Sequence, residues 1–522
     1  MFFSGYLPDN KNFKKVNSSS YVCTLPDTKA EDYSSYICAL TEKGLTTKET
    51  YENEYRHFSA LVSPDGIGAF VNYYPQANEM SVVFERDTKY FDYSDNACKG
   101  DLPVQLSQLP LEDFGMSYVI RLSDGRFIII DGGREFEIEA DRLLEFLKAN
   151  SNGKPTVAAW ILTHPHCDHV GCFNTLLDKY KDEIILEKLM FTFPDADLEQ
   201  YPKLIGGDKR VPWETSGIYL INKTNKQITE FNIPVYSPRA GQRYTVGDAN
   251  IEFIATMDDA VERPVQCGNH INALALVFRM EICGQTILFM TDGPFGHTRL
   301  CERYGKYLKS DILQAPHHAY GTGSNEDEIR GYKLVNPSVC FISASEYVTY
   351  TMFSSQKGGT EYLLRYADVD EIILANKAVT ITLPYTAPKG IKAKTEHKYL
   401  AGADSCGSKV WIFTGLCTDN KEDFIFDILN TVNLNANISI DLFFDDKAFA
   451  IKHILTTVEK YTIKNLNIVG DEVDADAKYC DWDSLKVKGI PEGKPFAVRF
   501  MSDIPIVISH KTHTPAFFAP NR

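Results

Sequence analysis

Residues 163–172 read THPHCDHVGC, and they crowd three of the chain's 12 histidines, His164, His166 and His169, around one aspartate, Asp168. His164 and His166 alternate about Pro165, so in an extended loop their side chains point the same way, and Asp168 with His169 turns back towards them. Imidazoles with a carboxylate suit zinc, manganese or iron(II), and four such groups exceed what one open catalytic ion needs. The spacing therefore points to a two-metal site. A strand exit capped by hydrogen-bonded histidines is the plain structural alternative, and it weakens if matching ligands end other strands.

They do. Upstream, SYVIRL, the turn SDGR and FIIIDGG read as a hairpin ending at Asp131, followed by the helical pattern EFEIEADRLLEFLKAN and the buried strand TVAAWILTH that delivers the histidines. Downstream, QTILFMTDGPFG is an apolar strand ending on Asp292, where a bridging carboxylate would sit. LKSDILQAPHHAYGTG is another, ending on His317 and His318. Ligand-type residues at the exits of apolar strands are how active sites are carried on rigid scaffolds.

HPHCDH resembles the H-x-H-x-D-H signature of the metallo-β-lactamase superfamily, ILFMTDG its strand ending in a bridging aspartate, and GRFIIIDGG its early hairpin. LQAPHHAYGTG is similar to the L-K-x-x-H-H-G-S segment of the branch related to the hydrolase domain of DNA-uptake channels. NALALVFRM, from Asn272, resembles that branch's N-x-x-S-L-V-L-R-L strand with Ala275 in place of serine. The resemblance covers roughly residues 115 to 395.

The resemblance implies an αββα sandwich in which His164 and His166 hold one ion, Asp168 and His169 the other, and Asp292 bridges both. One of His317 and His318 completes the second ion's shell; the other orients it or acts on the substrate. His270, in CGNHINALAL, lies where the superfamily often has a further ligand; it is a metal candidate whose expected place is the cleft wall or the solvent. His297 is expected at the surface, and Ala319 and Tyr320 replace small, flexible residues of the family segment. The implied cofactors are two divalent metal ions, zinc first, with manganese or iron as alternatives. The implied reaction is hydrolysis by hydroxide generated at the two-metal site, with Asp168, His317 and His318 as catalytic groups, on a phosphoester or phosphodiester. A lactone or thioester hydrolase on the same site, a di-iron redox protein and a non-catalytic metal-stabilised scaffold are the alternatives.

At 522 residues the chain exceeds one ordinary core. The fold class expected is α/β in three parts: a small α+β domain over 1–110, the catalytic domain over 111–400, and an α/β accessory domain over 401–522. In the first, an amphipathic helix over 27–45, capped by Asp27 or Thr28 and ended by Gly44, precedes three strands, FSALVS, IGAFVNYY and EMSVVFER. In the last, KVWIFTG, KEDFIFDILNTVNL, ISIDLFF, DKAFAIKHILTTVEKY and NLNIVG read as βαβαβ with a parallel sheet. Neither a dinucleotide fingerprint nor a P-loop occurs there, so a nucleotide role has no support.

A net charge of −16 with no basic run disfavours long nucleic acid, while a small-molecule ester substrate fits. No apolar run of about 18 residues spans a bilayer, and the N-terminus lacks a secretory pattern. With 12 cysteines and no C-x-x-C pair, reduced thiols in the cytoplasm are expected. No protein partner is indicated. Substrate choice is expected to lie in FPDADLEQYPKLIGGDKRVPWETSG, with Lys203, Lys209, Arg210 and Trp213, and in SEYVTYTMFSSQKGG, with Tyr347 and Tyr350.

Overall fold

A computed structural model describes residues 13–86, 95, 99–112, 114–196, 217–262, 271–295, 299–320, 325–345, 348–349, 367, 369–387, 408–417, 425–430, 434–444, 451–460, 462–467, 478–479, 495–510 and 517–518. The chain forms two compact units, Met1–Ser345 with Gly358–Lys392, and Glu346–Lys357 with Ala393–Arg522. Among the described residues no helix is long and apolar enough to cross a membrane. Cys38, Cys167, Cys172, Cys283, Cys301 and Cys340 are free.

The first unit is built on two facing sheets. One runs Val235–Tyr236, Leu189–Met190, Thr156–Ile161, Phe127–Asp131, Ser117–Arg121, Gln105–Gln108 and Val379–Thr382 in spatial order. The other runs Arg243–Val246, Ala249–Ala255, Val277–Ile282, Gln285–Phe289, Ile312–Gln314, Val339–Ile342 and Glu371–Leu374. In FIIID, Ile128 and Ile130 enter the core between the sheets, while Phe127 and Ile129 enter the core beneath the helices Glu137–Ala149 and Cys167–Tyr180. A strand buried on both faces reads as a continuous apolar run, and this one does. Helices cover both outer faces, so the αββα sandwich expected from the sequence is present. The strand Gln105–Gln108 already belongs to it.

At the metal end, Thr156–Ile161 pairs in parallel with Phe127–Asp131, and Gln285–Phe289 in parallel with Ile312–Gln314. All four strands therefore release their chains at the same kind of edge. Crevices at the carboxyl ends of parallel strands are where α/β folds place ligands.

The N-terminal region holds one helix, Ala30–Glu42, on a six-stranded antiparallel sheet rather than a three-stranded one. Thr46–Glu52 escaped the sequence reading because it is a mostly exposed edge strand whose pattern is polar but for Tyr51. The helix is capped at Lys29, whose backbone N–H donates to Asp32 at 2.8 Å, and not by Asp27 or Thr28; Thr28 Oγ1 instead donates to Leu25 O. Gly44, at φ +92°, ends it as expected.

This sheet shares a core with the sandwich, since Phe58, Ala60, Phe70 and Val83 pack with Met257, Ala273 and Leu274. Buried arginines join the same two parts. Arg303 binds Glu79 at 2.7 Å and also pairs with Asp259; Arg239 donates to Glu85 at 3.0 Å and to Asp258 at 2.9 Å; Arg56 pairs with Glu252 and donates to Tyr304 at 2.8 Å.

The second unit corrects the βαβαβ expectation. Every regular element described in 408–518 is a strand, and the pairing is antiparallel, with Pro495–His510 contacting Ser408–Cys417, Ala436–Phe444 and Ile425–Leu429. The two stretches expected as helices supply Ile425–Leu429 and Ile451–Val458. In the first, Phe426 and Ile428 are buried and Asp427 between them is exposed, a period of two. Antiparallel pairing needs no helical crossover.

Truncating Glu79 to alanine leaves Arg303 buried with half its partners. The expected loss is about 3–5 kcal/mol in denaturant titration, with the N-terminal sheet and the sandwich unfolding in one transition. An early, separate melting of the N-terminal sheet with unchanged sandwich stability would show that these pairs do not couple the two.

Candidate metal centre

The strand Thr156–Ile161 runs out into Thr163, His164, Pro165 and His166, and the chain then turns into the helix Cys167–Tyr180, with Asp168 and His169 in its first turn. A carboxylate at that position is favoured by the helix dipole. The helix lies hard against the Gly132–Glu135 loop: a Cβ on Gly171 would collide with the backbone of Glu135. From the facing sheet, Gln285–Phe289 leads through Thr291 to Asp292, and Ile312–Gln314 leads to a turn holding His317 and His318.

These residues meet as two groups. The ligand atoms of His164, His166 and Asp292 all lie within 4.8 Å of one another, and so do those of Asp168, His169 and His318. Asp292 faces both ways: its Oδ2 lies 3.6 Å from His164 Nε2, while its Oδ1 lies 3.3 Å from His169 Nε2 and 3.4 Å from His318 Nε2. His318 Nε2 is also 3.3 Å from Asp168 Oδ2. Of the adjacent histidines it is thus His318 that joins the second group. His317 keeps a side chain 14% exposed, with Nε2 3.9 Å from Asp292 Oδ2 and its ring edge-on to Tyr320 at 5.0 Å. His270, His297, Lys203, Lys209, Arg210, Trp213, Tyr347 and Tyr350 lie outside the described residues.

The donor set fits divalent cations. His169 Nε2, His318 Nε2 and Asp292 Oδ1 are buried and have no hydrogen-bond partner among the described residues. They converge as lone-pair donors would on an ion. The electrostatics agree. Burial alone would drive protons off His169 and His318, yet Asp292 and neighbouring carboxylates outweigh it, so His169 is raised well above the usual imidazole value and His318 is pushed up to about 9. The carboxylates thus favour positive charge at both imidazoles. Burial holds His164 and His166 low, as neutral donors, and pushes His317 down to about 4. Burial works against ionising Asp168 and Asp292, but His169 and His318 hold both carboxyls below their ordinary range.

Residues 111–231 match the family model described as the metallo-beta-lactamase superfamily. The chain carries a metallo-β-lactamase superfamily domain. The two groups of buried histidines and carboxylates in it are a donor set for metal ions. No curated protein matches the chain. Similar solved structures include YhfI, a metallo-beta-lactamase fold protein of Bacillus subtilis, at 14% identity over 54% of this chain and 100% of that one, TM-score 0.32. Igni18, a metallo hydrolase of the archaeon Ignicoccus hospitalis, is 12% identical over 54% of this chain and 100% of its own, TM-score 0.30. CmlA, a diiron beta-hydroxylase of Streptomyces venezuelae, is 10% identical over 55% of each chain, TM-score 0.32.

One residue of the metallo-β-lactamase domain escaped the sequence reading as a functional group. Asp131, fully buried at the end of Phe127–Asp131, accepts from Thr163 N and Thr163 Oγ1, each at 2.8 Å, and its Oδ2 lies 2.7 Å from His169 Nδ1. That contact puts the N–H on Nδ1 and leaves Nε2 free for an ion. Burial raises the Asp131 carboxyl, opposed by His169 and Thr163. The signal was in the sequence: FIIID ends on an aspartate as ILFMTD does.

Replacing Asp131 by asparagine keeps the shape and removes the charge. Metal affinity is expected to fall about 10–100-fold, read as ion content after dialysis against a graded chelator. Wild-type retention would remove Asp131 from the site.

Proposed function

We propose that the chain is a metal-dependent hydrolase that cleaves a phosphoester or phosphodiester of a small molecule. His164, His166 and Asp292 are assigned to one ion, and Asp168, His169, His318 and Asp292 to the other. The observation that carries the two-ion assignment is the division of Asp292, with Oδ1 turned to one group of ligands and Oδ2 to the other. Two bound divalent cations supply Lewis acidity and bring the pKa of a water towards neutrality.

The chain's own residues do the rest. Asp292 fixes the spacing between the two halves. Asp168, buried and held by His318, aims the water's lone pair along the line of attack. His317, partly exposed and steadied by the Tyr320 ring, donates a hydrogen bond from Nε2 to the leaving oxygen. Similarity of LQAPHHAYGTG to a phosphodiester-cleaving branch supports the phosphorus ester over a lactone or thioester. The arrangement calls for direct attack by water without a covalent enzyme intermediate.

The test combines elemental analysis with turnover of bis(p-nitrophenyl) phosphate, p-nitrophenyl phosphate and a simple lactone on one preparation. Two ions per chain with diester or monoester cleavage supports the proposal; lactone cleavage alone moves the substrate class. Iron with flavin-dependent electron transfer points to a redox protein, and metal without turnover to a scaffold.

Two variants separate the roles. Asp292→Ala is expected to lose both ions and all turnover while keeping its far-ultraviolet circular dichroism. His317→Gln is expected to keep two ions and lose about 10²-fold in kcat, more for alkyl than for p-nitrophenyl leaving groups. Equal losses for both leaving groups would remove His317 from contact with the leaving oxygen.

A further inference from the structure

Asn272 opens the short turn Asn272–Leu274, just before the strand Val277–Ile282. It is 1% exposed, and among the described residues neither its Oδ1 nor its Nδ2 has a hydrogen-bond partner. A buried carboxamide with both ends unpaired works against the fold, because water satisfied those atoms in the unfolded chain. Its sequence neighbours Ala273 and Leu274 lie in an apolar core. A partner from outside the chain is one explanation of such a group.

Its place in the fold says what that partner is. Leu276 N donates to Thr163 O at 3.0 Å, and Leu276 O accepts from Thr291 Oγ1 at 2.9 Å. Thr163 precedes His164, and Thr291 precedes Asp292. The turn and the start of its strand are therefore laced between the two chain segments that bring the first group of ligands together. A Cβ on Gly293, next to Asp292, would touch Val277 and lie 4.0 Å from Ala275. The segment has no slack to carry Asn272 elsewhere.

We propose that Asn272 is a substrate-binding residue of this centre, whose Nδ2–H donates to a non-bridging oxygen of the phosphoryl group. A neutral amide suits this task. It adds direction without charge, and a preformed donor aimed at an oxygen that gains negative charge favours the transition state over the ground state. The oxygen's chemical class rests on the phosphoester reading above, whereas the binding role does not require turnover.

The test uses the full-length, metal-loaded chain, with inorganic phosphate as the probe. Wild type, Asn272→Leu and Asn272→Ala are compared for ion content, melting temperature and phosphate affinity by calorimetry. The leucine variant, which removes two unpaired polar atoms from an apolar setting, is expected to keep both ions, melt a few degrees higher, and bind phosphate about 10-fold more weakly. Should leucine overfill the space, the alanine variant gives the same loss of phosphate affinity. Unchanged phosphate affinity in a folded, metal-replete variant overturns the proposal, as does a wild type that binds no phosphate. A leucine variant that melts lower and binds phosphate normally would assign the amide to the fold. Phosphate binding that depends on Asn272, in a wild type that cleaves no phosphorus ester, would leave this proposal standing and overturn the phosphoester reading.

Discussion

The carboxylate of Asp131 is the constraint on which the metal centre depends. Its two oxygens take the Thr163 amide, the Thr163 hydroxyl and the His169 imidazole, so one buried group fixes the strand exit, the start of the histidine loop and the tautomer of a ligand in the following helix. The backbone carbonyl of the same residue accepts the Trp160 indole at 2.7 Å, and Trp160 stands edge-on to Phe173 at 5.0 Å. Hence the ligand loop is anchored to a fully packed aromatic pair on the helix side of the sheet. Ligand geometry is inherited from the core, which is what a site with little tolerance for misplacement requires.

Much of this was legible in the sequence because it is local. HPHCDH needs only a strand exit and a helix start to gather four side chains, and the apolar runs before Asp292 and His318 are long enough to read as strands. The sandwich was implied by the family resemblance that these motifs carry. The ends of strands were less legible where one residue type serves two roles: Asp131 looked like a hairpin terminus, and only its bonds to Thr163 and His169 show it as a support for the site. Choosing between His317 and His318 was beyond reach from sequence, since neighbours in a tight turn diverge in direction by an amount that backbone dihedrals alone decide.

The second unit failed for a different reason. IFDIL and IKHILTTV place apolar residues at spacings compatible with both periods, and short runs of this kind cannot be assigned by pattern alone. Pairing decides the outcome: Ile425–Leu429 joins the 16-residue strand Pro495–His510, far along the chain, and Ile451–Val458 joins Ala436–Phe444. Ile451–Val458 is also rich in β-branched residues, including Thr456, Thr457 and Val458, which weaken a helix and suit a pleated surface. In the N-terminal region the helix and three of the strands were plain, and the strands that were missed are the ones that sit towards its edges.

Part of the backbone strain in the first unit lies where ligands must converge. Thr291, His317, His318 and Ala319 all have φ between 47° and 64°, a region that costs a side-chain-bearing residue about 1–2 kcal/mol. The four are held by one another's surroundings: His317 N donates to Thr291 O at 2.8 Å, Gln314 Oε1 accepts from Thr291 N at 2.5 Å, and Tyr320 N closes on His317 O at 2.7 Å. Relaxing either segment would break the bond that joins it to the other. Since Thr291 aims Asp292 and the turn aims His318, the two ligands that contact each other across Oδ1 are kept in place by a mutually enforced conformation that neither segment would adopt alone.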